Sequence, residues 1–296
     1  MRKFILGTDW WTDCDDAVAM RLLARAHKNG EIQLLGIGIN ACMDCSVASL
    51  DGFLNAEGAS DIPLGIDLDA TDFGGKPSYQ QRLSALCKRY KTNADAENAV
   101  HLYRRLLAES DDKIEIVEIG FLQVIADVLR SRGDDLSPLD GVALVKEKVS
   151  KIWVMAGKWD EVGGKENNFA RNERARMAAT YFCDQCPVPV TFLGWEVSNT
   201  VITGGNLETD DILYQVLCDH GSFQGRSSWD PMLVLLAIIG DESLAGYDVV
   251  CGRARVESNE GKNYFEVSEN GLHKYVVKTK EDLFYRDMIH ERIASV

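Results

Sequence analysis

The chain has 296 residues, with 32 Lys+Arg against 46 Asp+Glu and a formal net charge of −14. That negative surplus argues against a polyanion-binding surface, so nucleic acid is not an expected partner. With 46% hydrophobic and 26% charged residues the composition is that of a soluble globular protein rather than a disordered or collagen-like one, and it supports a sizeable core. The apolar run Phe4-Ile5-Leu6 is too short for a signal peptide, and no window approaches the roughly 18 consecutive apolar residues of a membrane span. Eight scattered cysteines in such a chain read as reduced thiols, and a cytoplasmic location is expected.

In chain order, short aliphatic or β-branched runs alternate with helix-period segments. Strands are predicted at Phe4–Leu6, Gln33–Ile39, Ile62–Ile66, Ile114–Ile119, Lys151–Met155 and Val188–Leu193, and helices over Ala17–His27, Ala94–Ala108, Leu122–Arg130 and Arg171–Phe182. After Leu193 come Gly-rich connections, a helix beginning near Asp230-Pro231, and two alternating segments, Arg253–Glu257 and Tyr264–Val267, joined by a hairpin turn at 259–263. The alternation predicts an α/β fold: an open, doubly wound, mostly parallel sheet of Rossmann-like type with a small C-terminal β-hairpin region. No repeat and no Pro/Ser-rich linker interrupts it, so one domain over 1–296 is expected.

Ligands of such a sheet bind beyond the carboxyl ends of its strands. Beyond the first strand lie Asp9, Asp13, Asp15 and Asp16, four carboxylates within eight residues at the entrance of a helix. Capping accounts for about two of them, with Asp13 as N-cap and Asp15 and Asp16 on the positive helix end. A hard divalent cation accounts for the others, since calcium and magnesium take several carboxylate and carbonyl oxygens at once. On the residues alone the two readings stand level.

The Asp-rich turn ending in Asp15-Asp16-Ala17 resembles the signature of the nucleoside hydrolase family, in its inosine/uridine-preferring form. Further segments are similar in the same order: Ile37-Gly38-Ile39-Asn40 to the second strand end, Gly120-Phe121-Leu122-Gln123 to G-x-L-T-N, Val154-Met155-Ala156-Gly157 to M-G-G, Glu166-Asn167-Asn168-Phe169 to E-F-N, and Ser228-Trp229-Asp230-Pro231 to H-D-P. The resemblance implies a calcium-dependent hydrolase of the N-glycosidic bond of ribonucleosides, acting in purine and pyrimidine salvage as a homodimer or homotetramer. It implies Asp9, Asp16, the Gln123 carbonyl and Asp230 as Ca2+ ligands, and Asp15, Asn40, Glu166 and Asn168 as partners of the ribose hydroxyls. The chemistry is coherent: a carboxylate accepts the proton of attacking water, and acidic walls favour an oxocarbenium-like sugar over the neutral ground state.

The chain departs from the family pattern in places. The common turn is D-x-D-P-G-x-D-D, with three residues between the second Asp and the Asp pair, whereas five separate Asp9 from Asp15. Asp9 is aligned with that second Asp, the loop being two residues longer; the longer loop alternatively brings Asp13 to the metal, so the general base is Asp9 or Asp13, with Asp9 preferred. Trp229 stands where many relatives carry a proton-donating His, and stacking of the leaving base on indole is the alternative to protonation, worth about 0.5–1.5 kcal/mol beyond area burial. Trp10, Trp11 and Trp229 read equally well as core packing. Gln123-Val124 replaces T-N, and Asp72–Pro77 occupies the place of the family's H-G-x-D-G-L stretch, so base preference does not carry over.

Other signals are weaker. Cys42/Cys45 and Cys183/Cys186 form two C-x-x-C pairs too far apart for a zinc ribbon. The five histidines read as solvated, with His220 the one positioned to replace the missing acid. The stretch from Lys158 to Lys165 reads as a lid or as a plain connection. Two rivals follow: a relative that binds a nucleoside or sugar without cleaving it, and a haloacid dehalogenase-like phosphohydrolase suggested by Asp13-Cys14-Asp15.

Overall fold

The computed structural model describes residues 1–294. Its strands are β1 (Arg2–Thr8), β2 (Ile32–Ile39), β3 (Leu64–Ile66), β4 (Glu97–Asn98), β5 (Ile114–Glu118), β6 (Val149–Met155), β7 (Val190–Leu193), β8 (Ile202–Thr203), β9 (Arg226–Ser227), β10 (Tyr247–Val256), β11 (Asn263–Val267) and β12 (His273–Lys278). Ten of them form one sheet in the order β11-β10-β12-β7-β6-β5-β1-β2-β3-β4, while β8 and β9 pair separately. Neighbours from β12 through β4 run parallel. Strand β10 is antiparallel to both β11 and β12.

The expected doubly wound, mostly parallel sheet is therefore present. The C-terminal hairpin is continuous with it, joined through β12, a strand that sequence patterning missed. Its run His273-Lys274-Tyr275-Val276-Val277-Lys278 mixes lysines with apolar residues, and a clean period of two does not emerge. His273 is 2% exposed, contrary to the expectation of solvated histidines, because its Nδ1 accepts a hydrogen bond from Ala254 N at 3.0 Å.

Along β1 the side chains alternate between two cores. Phe4 and Leu6 join the core under α1 (Asp15–Lys28) and the helices Ser46–Glu57 and Trp229–Ile239. Ile5 joins the opposite core, with the helices Ala99–Glu109, Gln123–Arg130 and Glu173–Gln185. The helix expected from Ala94 begins only at Ala99: Asn98 caps it, its Oδ1 accepting from Val100 N at 3.0 Å and His101 N at 3.1 Å.

The connections reverse direction between β1 and β5. From β1 the chain moves to β2, and from β5 it moves the other way to β6. Such a switch point opens a crevice at the strand ends. Asp9 follows β1 there, and Ile119 follows β5.

Candidate active site

The turn between β1 and α1 sets the site. Trp10 takes a left-handed conformation (φ 40°), which costs a non-glycine residue about 1–2 kcal/mol. Its indole holds the turn in place: it is fully buried, donates to Ser49 Oγ at 2.8 Å, and packs on Phe53 and Tyr79 with centroids 5.6 Å away. Trp10 is thus core, whereas Trp11 and Trp229 reach the crevice. Asp13 is not the cap of α1. Cys14 occupies that position without a side-chain cap, and Asp13 instead receives Cys14 N at 2.8 Å and Arg226 Nε and Nη2 at 2.9 and 2.6 Å.

Behind the turn lies a buried acidic cluster. Carboxylate oxygens of Asp15, Asp16 and Asp230 come within 4.8 Å of one another. Asp15 and Asp16 sit in the first turn of α1 and Asp230 in the first turn of Trp229–Ile239, its N–H donating to Asp15 Oδ2 at 3.2 Å. Asp16 also accepts from Thr8 Oγ1 and, at 3.2 Å, from Trp10 N. Among the described residues, no lysine or arginine forms an ion pair with Asp9, Asp15, Asp16 or Asp230.

Burial and mutual repulsion therefore push these carboxyls upward. Asp9 rises through burial and then the charges of Asp16 and Asp15. Asp15 rises through burial, Asp13 and Asp16, and Asp230 through burial, Asp15 and Asp16. Asp16 reaches about 6, burial outweighing the Thr8 hydrogen bond. Asp13 goes the other way: burial is more than offset by the hydrogen bond and charge of Arg226. Four buried carboxyls at one point, without a cationic side chain paired to them, form an oxygen-donor set suited to a hard divalent cation.

The cluster forms one wall of a cavity of about 200 Å³. Asp9, Asp13, Asp15, Asp16, Glu166, Asn168, Trp229 and Asp230 all line it, as do Trp11 and Trp195. Glu166 is fixed by its surroundings, Oε2 accepting from Gly157 N at 3.0 Å and Oε1 from Asn168 N at 2.7 Å. Burial nevertheless pushes it up to about 7 against those hydrogen bonds. Asn168 Nδ2 donates to Met155 O at 2.9 Å. The Trp229 indole N–H is buried without a partner among the described residues, and the Arg226 guanidinium lies 5.1 Å from the Trp229 ring. Trp195 was missed by the sequence analysis. It follows β7 after Gly194, the strand-end position where ligand contacts in this class of sheet are expected.

Asn40 and Gln123 lie outside the cavity wall. Gln123 opens its helix and donates Nε2 to Asn40 O and, at 3.4 Å, to Asp67 Oδ2. Asn40 Oδ1 accepts from Phe121 N at 3.0 Å, while its Nδ2 is buried without a partner among the described residues. Gly120 is required between them and the acidic turn: a Cβ there would come within 2.3 Å of Asp9 N and 2.6 Å of Asn40 Oδ1. His220 Nε2 is 3.8 Å from Asp13 Oδ1, and ligand atoms of Asp13, Cys14 and His220 lie within 4.8 Å of one another.

The turn admits a second register against D-x-D-P-G-x-D-D. Read without an insertion, Asp9 through Asp16 has the same eight-residue length, which puts Asp9 at the first Asp and Trp11 at the second. Trp11 is 7% exposed, donates Nε1 to Gly74 O at 2.7 Å, and meets Phe121 edge-on at 5.9 Å.

No protein-family model and no curated protein matches the sequence. Solved structures do. The inosine-uridine preferring nucleoside hydrolase of Bacillus anthracis matches over 99% of each chain with a TM-score of 0.70 at 15% identity. A plant nucleoside hydrolase matches over 100% of this chain and 99% of its own, with a TM-score of 0.72 and 17% identity. An inosine-guanosine nucleoside hydrolase matches over 99% of each chain, with a TM-score of 0.70 and 18% identity. The fold is that of the nucleoside hydrolases from end to end.

Proposed function

We propose that the protein hydrolyses the N-glycosidic bond of ribonucleosides to ribose and free base, with calcium as its cation. The observation that carries this reading is the buried carboxyls of Asp9, Asp15, Asp16 and Asp230, at the switch point of a nucleoside hydrolase fold, lining one cavity together with Glu166 and Asn168. When bound, calcium would offset the carboxylate charge, engage neighbouring sugar hydroxyls and acidify a water.

The chain's own groups then divide the work. Asp16 and Asp230, with Asp15, hold the cation. Asp9 accepts the proton of the attacking water. Asp13 is unsuited to that task because Arg226 already occupies both of its oxygens. Glu166, held by two backbone amides, and Asn168, anchored through its Nδ2 on Met155 O, take the ribose hydroxyls. Positive charge developing on the sugar is favoured by the acidic wall. Trp229, Trp195 and Trp11 offer flat surfaces to the departing base. The assignment rests on the cavity wall, and neither Asn40 nor the Gln123 carbonyl is part of it. A salvage role as a cytoplasmic homodimer or homotetramer belongs to the same proposal; no helix among the described residues is long and apolar enough to cross a membrane.

The test is ribose release from a panel of purine and pyrimidine ribonucleosides, with calcium-loaded and chelator-treated protein side by side. Calcium-dependent release supports the reading. A second reading is favoured by Trp11 and Trp229, which stand at the motif positions of an Asp and a proton-donating His: the site binds ribosides without turning them over. Saturable, calcium-dependent binding of a ribonucleoside with no ribose released would select it.

A further inference from the structure

The loop that carries the chain from β6 to Glu166 is exposed over much of its length, with Val162 91% exposed. Its start is anchored by Trp159, whose indole packs among Phe169, Phe192, Phe265 and Tyr275 and donates to Ala156 O at 3.1 Å. Beyond that, Gly157 and Gly163 both have positive φ (86° and 74°), so the backbone on either side of the exposed segment is intrinsically permissive. What fixes the path is Asn263, the first residue of β11, only 1% exposed.

Asn263 reaches both ends of the loop. Its Oδ1 accepts from Lys158 N at 3.0 Å and its Nδ2 donates to Lys158 O at 2.8 Å, so one amide closes on both backbone groups of one residue. Its own N donates to Gly164 O at 2.9 Å and its O accepts from Gly163 N at 3.2 Å. Two residues beyond Gly164 stands Glu166, whose carboxylate is aimed by Gly157 N and Asn168 N. A buried amide with its donor and acceptor both satisfied holds one geometry, because every alternative leaves a polar group unpaired.

We infer that Asn263 is a positioning residue. It clamps the loop spanning 158–164 to the sheet edge and thereby sets Glu166 and Asn168 against the sugar in the cavity. The consequence for riboside recognition rests on the function proposed above; the consequence for the loop does not. Ordering a contact group in advance strengthens binding by sparing the cost of ordering it on association.

The experiment uses the full chain as wild type, Asn263→Ala and Asn263→Asp, with three measurements: residue-resolved amide hydrogen exchange, calcium affinity, and ribonucleoside affinity with KM and kcat. The amides of Gly157 and Asn168 report directly on the Glu166 carboxylate. In Asn263→Ala they exchange at least tenfold faster, as does Lys158, while amides of β1 and α1 are unchanged. Ribonucleoside affinity falls about tenfold through KM, and calcium affinity changes less than twofold because, among the described residues, Asn263 makes no hydrogen bond to the Asp cluster. Asn263→Asp keeps the acceptor for Lys158 N but sets a carboxylate oxygen against Lys158 O, so the same amides exchange at least as fast as in Asn263→Ala. Unchanged exchange at Gly157 and Asn168 overturns the inference, and so does faster exchange spread over the whole sheet. Faster loop exchange with undiminished riboside affinity also overturns it. A wild type that binds no ribonucleoside refutes the proposed function instead, and the exchange measurement still decides the role of Asn263.

Discussion

Replacing Asp230 by Asn separates the energetic cost of the acidic cluster from its use. The substitution is nearly isosteric and removes one of three carboxylates whose oxygens lie within 4.8 Å. Two full charges at that separation repel by about 3–4 kcal/mol at an effective dielectric near 20. Partial protonation of the cluster without a cation reduces the relief to about 1–2 kcal/mol, since a group that neutralises itself no longer repels in full. At roughly 2–4 °C per kcal/mol, Asp230→Asn in chelator should melt about 2–8 °C above wild type. Calcium at about 100 times its Kd should add about 2.7 kcal/mol to wild type, or some 5–10 °C, and far less to the variant. Scanning calorimetry with and without calcium should therefore show the order of the two melting temperatures reversing. A variant less stable than wild type in chelator, or a wild type indifferent to calcium, would refute the argument that this cluster exists for a cation.

Other consequences can be measured directly. Asp9→Asn should lower kcat by about 10²–10⁴-fold, the range of a lost general base, and Asp13→Asn by under about tenfold; equal losses would reject the assignment of Asp9. Because Asp9, Asp15, Asp16 and Asp230 are all held upward, with Asp16 at about 6, cation binding near neutral pH should release protons and weaken as pH falls through 6. Calorimetric titration in buffers of different ionisation enthalpy checks this, and identical heats would contradict it. Glu118, fully buried and accepting from Tyr103 OH at 3.1 Å as its one donor among the described residues, is pushed up to about 8 by burial. A raised carboxyl stabilises the fold most fully below its unfolded pKa, and that contribution is lost as pH rises through 8. Glu118→Gln should then gain on wild type in denaturant unfolding between pH 5 and 9, and parallel pH profiles would disprove it. Trp229→Ala should lower kcat/KM for purine ribonucleosides by about 3–10-fold if the indole stacks on the base, whereas unchanged values would remove stacking from the mechanism.

The sequence was most informative where a side chain has one job. Strands such as Ile114–Glu118 and Val149–Met155 are buried on both faces, so their apolar runs announce themselves. The acidic turn was visible for the opposite reason, since that density of carboxylates suits neither a core nor an ordinary cap. Legibility failed where tertiary contacts choose among local options. Asp13 had the sequence of an N-cap, and a distant arginine, Arg226, took it instead. Trp10 and Trp11 are adjacent and chemically identical, yet the left-handed turn sends one into the core and the other to the cavity. Trp195 and Asn263 carry no local motif, because their importance comes from the strands that happen to neighbour them in the folded sheet.

The location of the acidic cluster explains how the chain tolerates it before any cation arrives. Two helices, α1 and Trp229–Ile239, bring their N-terminal turns to the same point, and Asp15, Asp16 and Asp230 occupy those turns. Each positive helix end faces its own carboxylate and its neighbour's, as the Asp230 N–H to Asp15 contact shows, and each such end contributes about 0.3–1 kcal/mol, more when partly buried. Those helix contributions are smaller than the repulsion they oppose. The shortfall leaves a folded protein with raised carboxyls, and under the proposed function a divalent cation replaces the protons they would otherwise bind. On this account, lengthening the distance between the two helix ends would relax the repulsion and weaken the cation together. Val18→Phe, a larger side chain at a residue only 1% exposed in the core shared by the two helices, should accordingly lower calcium affinity while narrowing the gap in melting temperature between chelator and calcium. A variant that lost stability but bound calcium as tightly as wild type would show that the cluster's affinity does not depend on how the helices are packed.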